Sequence, residues 1–293
     1  MTATVILLTG VSGQLGWELH RTLAPLGRIV ALDSRSLDLA DPDAIRTTVR
    51  GMRPRLIVNP AAYTAVDRAE SEAEQARAIN AVAPAVLAEE AKRYGAILVH
   101  YSTDYVFDGR KPGPYLEDDP ANPLNVYGAT KWEGEEAIRA SGVRHLILRT
   151  SWVYGTRGQN FLLTMQRLMR ERAELRIVDD QIGAPTWSRL IAEATAQILA
   201  QCLSPARGAD RPEPWGTYHL TCGGATSWYG FAQAIAESGG VTRRLVPIPS
   251  SDYPTPARRP ANSRLDNGKL ARTFALRLPD WREALALCLQ TDA

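Results

Sequence analysis

The start of the chain constrains the fold most, because an apolar run leads directly into a glycine-rich turn and then into an amphipathic pattern. Residues 4–9 have the composition of a short buried strand, and Gly10, Gly13 and Gly16 follow at once. Glycine allows a positive φ, lets backbone N–H groups approach a pyrophosphate, and lets a helix pack closely on a strand. Leucines four residues apart from position 15 onward continue the pattern as a helix. This order predicts a dinucleotide-binding unit, although a glycine turn alone also fits an ordinary tight loop.

A carboxylate and a guanidinium follow the second apolar run, residues 28–32. Asp33 lies about 20 residues beyond Gly13, which is the spacing at which an acidic residue binds the adenosine ribose of a dinucleotide. Asp33 favours a free ribose 2′-hydroxyl, whereas Arg35 can offset its charge and bind a 2′-phosphate. The sequence therefore predicts NADPH or NADH as the cofactor and does not choose between them.

A tyrosine and a lysine stand four residues apart, at Tyr127 and Lys131, downstream of the run 102–104 that ends an apolar stretch. We expect the helix that carries them to begin at Asn122-Pro123 and to end at Gly142. Positions i and i+4 share one helix face, so the ammonium can lie beneath the phenol and hold it ready to donate or accept a proton. Such pairs also occur on solvated helices without any catalytic role. Beside a dinucleotide-binding unit, the pair indicates reductase chemistry.

Apolar strands and amphipathic helices alternate over the first half of the chain. Residues 56–59 and 96–101 read as strands, with a long helix predicted between them from about 73 to 94. Parallel strands joined by helical crossovers are the natural interpretation of this alternation. The sequence predicts an α/β protein whose residues 1–150 form a Rossmann-type, doubly wound, parallel-sheet domain for NAD(P).

The alternation breaks down in the second half of the chain. Shorter segments rich in Pro, Gly and Trp occur there, among them residues 209–215 and 247–249, which are predicted to be loops. We expect residues 151–293 to form mainly a smaller substrate-binding domain that covers the carboxyl ends of the strands. Whether this part of the chain also returns to the first sheet is left open.

Composition excludes several classes of function. The 293 residues carry a formal net charge of +2 and no basic block, so nucleic-acid binding is not expected. No apolar run is long enough to span a bilayer and no secretory signal is recognised, so we expect a cytoplasmic protein without a membrane partner. Cysteine and histidine are too scattered for a metal site or a histidine-based triad, and core or surface roles are expected for Cys202, Cys222, Cys288, His20, His100, His145 and His219.

Longer motifs resemble those of the dTDP-4-dehydrorhamnose reductases, a family within the extended short-chain dehydrogenase/reductases. The resemblance covers nearly the whole chain and rests on the glycine turn, the tyrosine–lysine pair and residues 13–19, 101–107, 149–154, 180–186 and 254–260. It implies that NADPH or NADH reduces the C4 ketone of dTDP-4-dehydro-L-rhamnose to dTDP-L-rhamnose, a precursor of cell-surface polysaccharide. The implied partner is therefore a small-molecule nucleotide sugar.

The resemblance also implies roles for individual residues. Tyr127 is implied as the proton donor to the ketone oxygen, with Lys131 beside it and the hydroxyl of Thr103 next to the ketone. Trp152 is implied as an aromatic contact for the substrate. The implied substrate contacts are Ser102, Thr103, Asp104, Tyr127 and Trp152, and the implied cofactor contacts are Gly10, Gly13, Gln14, Leu15, Gly16, Asp33, Asp38, Leu39, Ala62, Tyr63, Thr64, Tyr127 and Lys131.

One departure from the family concerns a metal ion. Some members bind Mg²⁺ at a dimer interface through three glutamates, and only Glu18 stands at a corresponding position here, since Arg189 occupies the second and residues 289–293 contain no glutamate. An arginine repels a cation, so we expect no structural Mg²⁺ of this type and a monomer or weak homodimer. Two alternative functions stay open: a ketoreductase or epimerase acting on another dTDP-4-keto-6-deoxysugar, and a non-catalytic NADP-binding regulatory subunit.

Overall fold

The computed structural model describes residues 4–204 and 213–290, so residues 209–212 of a predicted loop lie outside it. The strands are β1 (Val5–Leu8), β2 (Arg28–Ala31), β3 (Leu56–Asn59), β4 (Ile97–Thr103), β5 (His145–Thr150), β6 (Val153–Tyr154), β7 (Glu174–Val178), β8 (Ile182–Gly183), β9 (Thr186–Trp187), β10 (Gly216–His219), β11 (Thr226–Ser227) and β12 (Arg244–Ile248). The helices are α1 (Gln14–Thr22), α2 (Pro42–Met52), α3 (Val66–Ala69), α4 (Ala73–Arg77), α5 (Ala83–Arg93), α6 (Val126–Ser141), α7 (Phe161–Glu171), α8 (Ser188–Leu203), α9 (Trp228–Ser238), α10 (Gly268–Phe274) and α11 (Trp281–Gln290).

In the described part of the chain, six strands form one parallel sheet in the order β2-β1-β3-β4-β5-β10. Leu7 of β1 pairs with Val30 of β2 on one side and with Ile57 of β3 on the other. The chain therefore changes its direction across the sheet at β1, and α/β proteins bind ligands beyond the carboxyl ends of the strands at such a point. The predicted doubly wound parallel sheet is confirmed.

Alternate side chains of the strands enter separate cores on the two faces of the sheet. Ile6 and Leu8 point into a core to which α1, α8 and α10 contribute. Leu7 points into the opposite core, to which α2, α5 and α6 contribute. Because both faces are buried, the strands read as nearly continuous apolar runs in the sequence.

A separate core forms from α7, α9, α11 and β7. The centroid of the Phe231 ring lies 5.2 Å from that of Tyr154 and 6.0 Å from that of Trp281. Strand β7 pairs in parallel with β12, which includes Pro247 and Ile248, so this predicted loop is partly a strand. Since β10 pairs with β5 and α8 packs on α1, the second half of the chain also returns to the sheet. The division of the chain into two domains remains a prediction.

The helix that carries the tyrosine–lysine pair begins three residues later than expected. Its N-cap is Asn125, whose Oδ1 accepts a hydrogen bond from the backbone N–H of Gly128 at 2.8 Å. Asn122, the predicted cap, instead donates from Nδ2 to Oδ2 of Asp108 at 3.1 Å. The predicted end is correct, because Gly142 adopts a φ of 69° at the C-cap.

The long helix predicted for residues 73–94 is interrupted. A π-helical segment, Ala78–Val82, joins α4 to α5. Pro84 has no N–H to donate to the carbonyl of Asn80 four residues earlier, so the regular hydrogen-bond pattern cannot continue there. The buried Asn80 side chain donates from Nδ2 to Oγ1 of Thr130 on α6 at 3.2 Å. The π-helical segment is therefore hydrogen-bonded to α6.

Gly16 allows α1 to approach the turn after β1. A Cβ at this position would stand 2.1 Å from the carbonyl oxygen of Gly10, which itself has a φ of +57°. A Cβ at Gly13 would stay 3.3 Å from the same oxygen, and its φ of −74° suits any residue. The close approach therefore depends on Gly16 and not on Gly13.

We expect Gly16→Ala to lower the free energy of unfolding by about 3 kcal/mol or more, because the new methyl group overlaps backbone atoms. Gly13→Ala is the matched control and should change this free energy by less than about 1 kcal/mol. Urea denaturation followed by circular dichroism measures both variants. Equal midpoints would show that α1 does not require the close approach.

Candidate active site

A cavity of about 490 Å³ lies beyond the carboxyl ends of β1, β3 and β4. Its wall runs from Asp33, just after β2, past the glycine turn to Tyr127 and Lys131 on α6. The predicted site residues that line it are Gly10, Gly13, Gln14, Leu15, Gly16, Asp33, Asp38, Leu39, Ala62, Thr64, Ser102, Tyr127 and Lys131.

Gln14 links the wall of this cavity to the core formed by α7, α9, α11 and β7. Its Nε2 donates to the carbonyl of Val153 at 3.3 Å, and its Oε1 accepts from Nδ2 of Asn160 at 3.2 Å. Asn160 also caps α7, since its Oδ1 accepts from the N–H of Leu163 at 3.1 Å. One side chain therefore holds both the glycine turn and the start of α7.

The hydroxyl of Thr103 lies beside the phenol of Tyr127. Oγ1 of Thr103 also donates to Oδ1 of Asp104 at 3.1 Å and accepts from the N–H of Tyr105 at 3.2 Å. Burial raises the pKa of Tyr127 to about 12, and the hydrogen bond with Thr103 opposes this shift. Tyr127 is therefore a neutral phenol at pH 7 and holds a proton that it can donate.

The Lys131 side chain is buried, with 2% of its surface exposed, and its amine lies against β4. Nζ donates to the carbonyl of Tyr101 at 2.6 Å and lies 3.1 Å from Nε2 of His100. Burial lowers the pKa of Lys131 to about 8, and the charge of Glu135 acts in the opposite direction. The amine therefore changes charge close to neutral pH. For His100 the sequence predicts only a core or surface role, and the structure places it against this amine.

Two buried carboxyl groups flank the tyrosine–lysine pair. Burial raises the pKa of Asp104 to about 6, and hydrogen bonds from Ser263 and a neighbouring threonine oppose the shift. Burial also acts to raise the pKa of Glu135, but hydrogen bonds from Arg149 outweigh it and lower that pKa. Nη2 of Arg149 lies 2.7 Å from Oε2 of Glu135, and both side chains are almost fully buried. Glu135 is therefore an ion-paired carboxylate.

Asp33, at the other end of the cavity, already has partners. Its Oδ2 accepts from Nη2 of Arg35 at 3.0 Å, and its Oδ1 accepts from the hydroxyl of Ser36 at 2.9 Å. Hydrogen bonds from Ser36 and Arg35 lower the pKa of Asp33, which is a carboxylate at pH 7. The Arg35 side chain is 91% exposed, so it can leave Asp33 without losing buried contacts.

Some predicted site residues do not line this cavity; they are Tyr63, Thr103, Asp104 and Trp152. Tyr63 follows Ala62 along the chain, but its hydroxyl donates to Glu72. Thr103 and Asp104 are buried beside the hydroxyl of Tyr127. The structure therefore brings Thr103 to the phenol and leaves the side chain of Tyr63 outside the cavity.

Trp152 stacks on a second tryptophan, Trp228, with ring centroids 3.6 Å apart and planes inclined by 8°. Trp152 has a φ of 48°, in the left-handed region, and a Cβ on Gly183 would lie 2.5 Å from its indole. Nε1 of Trp228 donates to Oε1 of Gln181 at 3.2 Å. Nothing in the sequence pattern pointed to Trp228, because an aromatic residue at the start of a helix is no signal for a stack.

A second cavity, of about 630 Å³, begins at Trp228 and is lined by α7, β7 and the segment after β12. Three arginines stand at its wall, Arg172, Arg176 and Arg259, and the last two form ion pairs. Nη2 of Arg176 lies 3.1 Å from Oδ2 of Asp252, and Nη2 of Arg259 lies 2.8 Å from Oδ2 of Asp67. Apolar walls with charged groups among them suit a ligand that has both a ring and an anionic group.

Residues 4–204 and 213–290 contain no group of three His, Cys, Asp or Glu side chains that could hold a metal ion. At the position considered for Mg²⁺, burial raises the pKa of Glu18 while Arg189 acts to lower it. That this chain binds no such Mg²⁺ remains a prediction. Among the helices described, none is long and apolar enough to cross a membrane.

The fold and the site together define a class of protein. A parallel sheet whose first glycine turn borders a cavity, with a tyrosine and a lysine on one helix face at the inner end, is the arrangement of a short-chain dehydrogenase/reductase.

Comparisons with known proteins give the family. The model of the family described as RmlD substrate binding domain matches residues 4–293. The dTDP-4-dehydrorhamnose reductase of Burkholderia thailandensis is 50% identical over 97% of this chain and 98% of that protein. The reductase of the same name from Escherichia coli K12 is 48% identical over 94% of each chain. The crystal structure of dTDP-4-dehydrorhamnose reductase from Bacillus anthracis in complex with NADP is 34% identical, with a TM-score of 0.91 over 99% of this chain and 100% of that one. This chain belongs to the dTDP-4-dehydrorhamnose reductase family.

The charge of Lys131 can be measured directly, because the sequence contains only four lysines, Lys92, Lys111, Lys131 and Lys269. With lysine side chains isotopically labelled, we expect the NMR signal of Lys131 to titrate with a midpoint of about pH 8, since burial disfavours the ammonium. The signal is assigned by its loss in Lys131→Met. A midpoint above about 10 would show that the amine is solvated.

Proposed function

We propose that this protein reduces the C4 ketone of dTDP-4-dehydro-L-rhamnose with NADPH or NADH and so forms dTDP-L-rhamnose. The position of Tyr127 carries the proposal. It is a neutral phenol at the inner end of a cavity whose outer end has the glycine turn and Asp33. Two relatives with about half of their residues identical bear the name of this reductase, which supports the proposal.

The first cavity has the features that a dinucleotide requires. At Gly13 the N-terminus of α1 offers backbone N–H groups to a pyrophosphate, because no side-chain hydrogen bond caps this helix. When bound, the dinucleotide supplies a hydride. We assign Gly13, Gln14 and Leu15 to the pyrophosphate, Asp33 to the adenosine ribose, Asp38 and Leu39 to the adenine, and Ala62 and Thr64, on either side of Tyr63 in the sequence, to the wall along the cofactor.

The protein side chains supply the proton and stabilise charge. As negative charge develops on the ketone oxygen, Tyr127 transfers its hydroxyl proton to it, which completes the alcohol. Thr103 lies beside the phenol, and its hydroxyl hydrogen, which now points to Asp104, can rotate to stabilise the phenolate that remains. Lys131, one turn further along α6, adds a positive charge while it is an ammonium.

The nucleotide sugar is assigned to the second cavity and to the residues between the two cavities. The Trp152–Trp228 stack offers an aromatic face to the deoxysugar or the thymine ring. Arg176 and Arg259 stand where a diphosphate can exchange with their present acidic partners. Ser102 and Asp104 flank Thr103 at the end of β4.

We also propose that the reaction takes place in the cytoplasm, because both reactants are water-soluble nucleotides. The protein is proposed to act as a monomer or weak homodimer without the Mg²⁺ of some relatives, since Arg189 acts on Glu18 at that position. No nucleic-acid partner is proposed for a chain of net charge +2.

The proposed function is tested by following the absorbance of NADPH or NADH with a panel of dTDP-4-keto sugars. Oxidation that requires dTDP-4-dehydrorhamnose is expected. An epimerase would convert the sugar without consuming the cofactor, and a regulatory subunit would bind the cofactor without turnover. Faster oxidation with another keto sugar of the panel would identify a different substrate.

Tyr127→Phe should lower kcat by ~10²-fold or more and leave dinucleotide binding unchanged, because the ring remains while the proton donor is lost. Tyr94→Phe, at the end of α5, is the control for loss of a tyrosine hydroxyl elsewhere. Steady-state kinetics and cofactor titration measure the two effects. Near-normal turnover of Tyr127→Phe would remove this residue from the chemistry.

We expect Arg35→Ala to raise the KM for NADPH about 10-fold, because the variant lacks the guanidinium that binds the 2′-phosphate. The KM for NADH should change by less than about twofold, because NADH has no 2′-phosphate. Arg28→Ala is the matched control, because Arg28 is an exposed arginine at the opposite end of β2. An equal effect on both cofactors would exclude this role of Arg35.

A further inference from the structure

A buried polar row crosses the sheet behind Lys131. His100 of β4 and Asn59 of β3 are paired in register, and both are fully buried. Oγ1 of Thr9 lies 2.6 Å from Oδ1 of Asn59, Nδ2 of Asn59 lies 3.2 Å from Nδ1 of His100, and Nε2 of His100 lies 3.1 Å from Nζ of Lys131. The two ends of the row, Thr9 and Lys131, both line the first cavity.

Of the two hydrogen-bond partners of the Lys131 amine, only His100 can act either as a donor or as an acceptor. Among the described residues, Nζ of Lys131 is hydrogen-bonded to the carbonyl of Tyr101 and to His100. A carbonyl can only accept, whereas a neutral imidazole accepts at one nitrogen and donates at the other. The ring can therefore meet the amine either with a lone pair or with a hydrogen.

Two hydrogen patterns satisfy the row. In the first, Thr9 donates to Oδ1 of Asn59 and Nδ2 of Asn59 donates to Nδ1 of His100. The ring then carries its hydrogen on Nε2 and directs it at an uncharged amine of Lys131. In the second, the amide of Asn59 is turned over, Nδ1 donates to the amide oxygen, and Nε2 accepts from an ammonium. Passing from the first pattern to the second takes one proton from solvent and moves the ring hydrogen to Nδ1.

We propose that His100, oriented by Asn59 and Thr9, is a positioning residue that controls whether Lys131 is an ammonium or an amine. The consequence for turnover rests on the proposed function, because only the ammonium can stabilise a phenolate at Tyr127. His100 acts through Lys131 and exchanges no atom with the substrate.

The charged and titratable groups around Lys131 do not take over the role proposed for His100. On α6, Tyr127 is a neutral phenol, and Glu135 is a carboxylate bound to Arg149 of β5. The other residues of the row, Thr9 just after β1 and Asn59 at the end of β3, are uncharged. Burial and the charge of Lys131 hold the pKa of His100 well below its ordinary value, so the ring is neutral at pH 7 and acts through its tautomer.

The lysine titration tests the proposal. His100→Leu removes the acceptor and should lower the midpoint of Lys131 by about one pH unit or more. His100→Gln offers an amide oxygen to the ammonium and should return the midpoint to within about half a unit of the wild-type value. A histidine that only fills space would change the thermal stability of the variants and leave all three midpoints equal, which would overturn the proposal.

Asn59→Asp tests the tautomer of the His100 ring, and it should shift the titration midpoint of Lys131 in the direction opposite to His100→Leu. A carboxylate can only accept, so it fixes the ring hydrogen on Nδ1 and leaves Nε2 as an acceptor. The midpoint of Lys131 should then rise by about one pH unit or more. The double variant Asn59→Asp/His100→Leu is the control, because a direct effect of the new charge would persist without the ring. An equal rise in both backgrounds would overturn the role of the tautomer.

Turnover provides a separate measurement. At saturating NADPH, the alkaline fall of kcat/KM for the nucleotide sugar should move with the titration midpoint in each variant. A wild-type protein without turnover would contradict the proposed function, and the titration would still decide the role of His100. Midpoints that stay at the wild-type value in variants with a wild-type circular dichroism spectrum would overturn the inference itself.

Discussion

The close packing of α6 on its neighbours is the constraint on which the site depends. Gly128 lies against the backbone carbonyl of Tyr105, and Gly134 lies against that of Asn80; a Cβ at either glycine would stand 2.2 Å from the oxygen. Because no side chain separates these backbones, α6 packs directly on the turn that follows β4 and on the π-helical segment between α4 and α5. Burial of both groups, and with it the shift of their pKa values, follows from this contact.

The buried charges on this face are balanced unequally. Glu135 accepts three hydrogen bonds from the guanidinium of Arg149, whereas the hydrogen-bond partners of Lys131 in the described residues, the Tyr101 carbonyl and His100, are neutral. A buried ion pair adds little net stability, so we interpret the Glu135–Arg149 pair as fixing the position of α6 on β5. The less balanced charge stands at the cavity, where a shifted pKa is useful for proton transfer.

Local patterns predicted much of the fold and part of the site. The glycine turn, β3 and the end of α6 at Gly142 depend on neighbouring residues, so the sequence indicated them. The predicted start of α6 is wrong because Asn122 and Asn125 can both cap a helix, and only tertiary contacts select between them. The π-helical segment depends on the missing N–H of Pro84, which is a local feature of the sequence. His100 reads as one more residue of a buried strand, and only the neighbouring strand and α6 give it partners.

Gln14 has a consequence for the two halves of the molecule. It lines the first cavity and bonds to the residue that caps α7, and α7 forms a wall of the second cavity. The two cavities are therefore connected through the hydrogen bonds of one side-chain amide. A shift of the start of α7 relative to the glycine turn would stretch or break the hydrogen bond between Asn160 and Gln14.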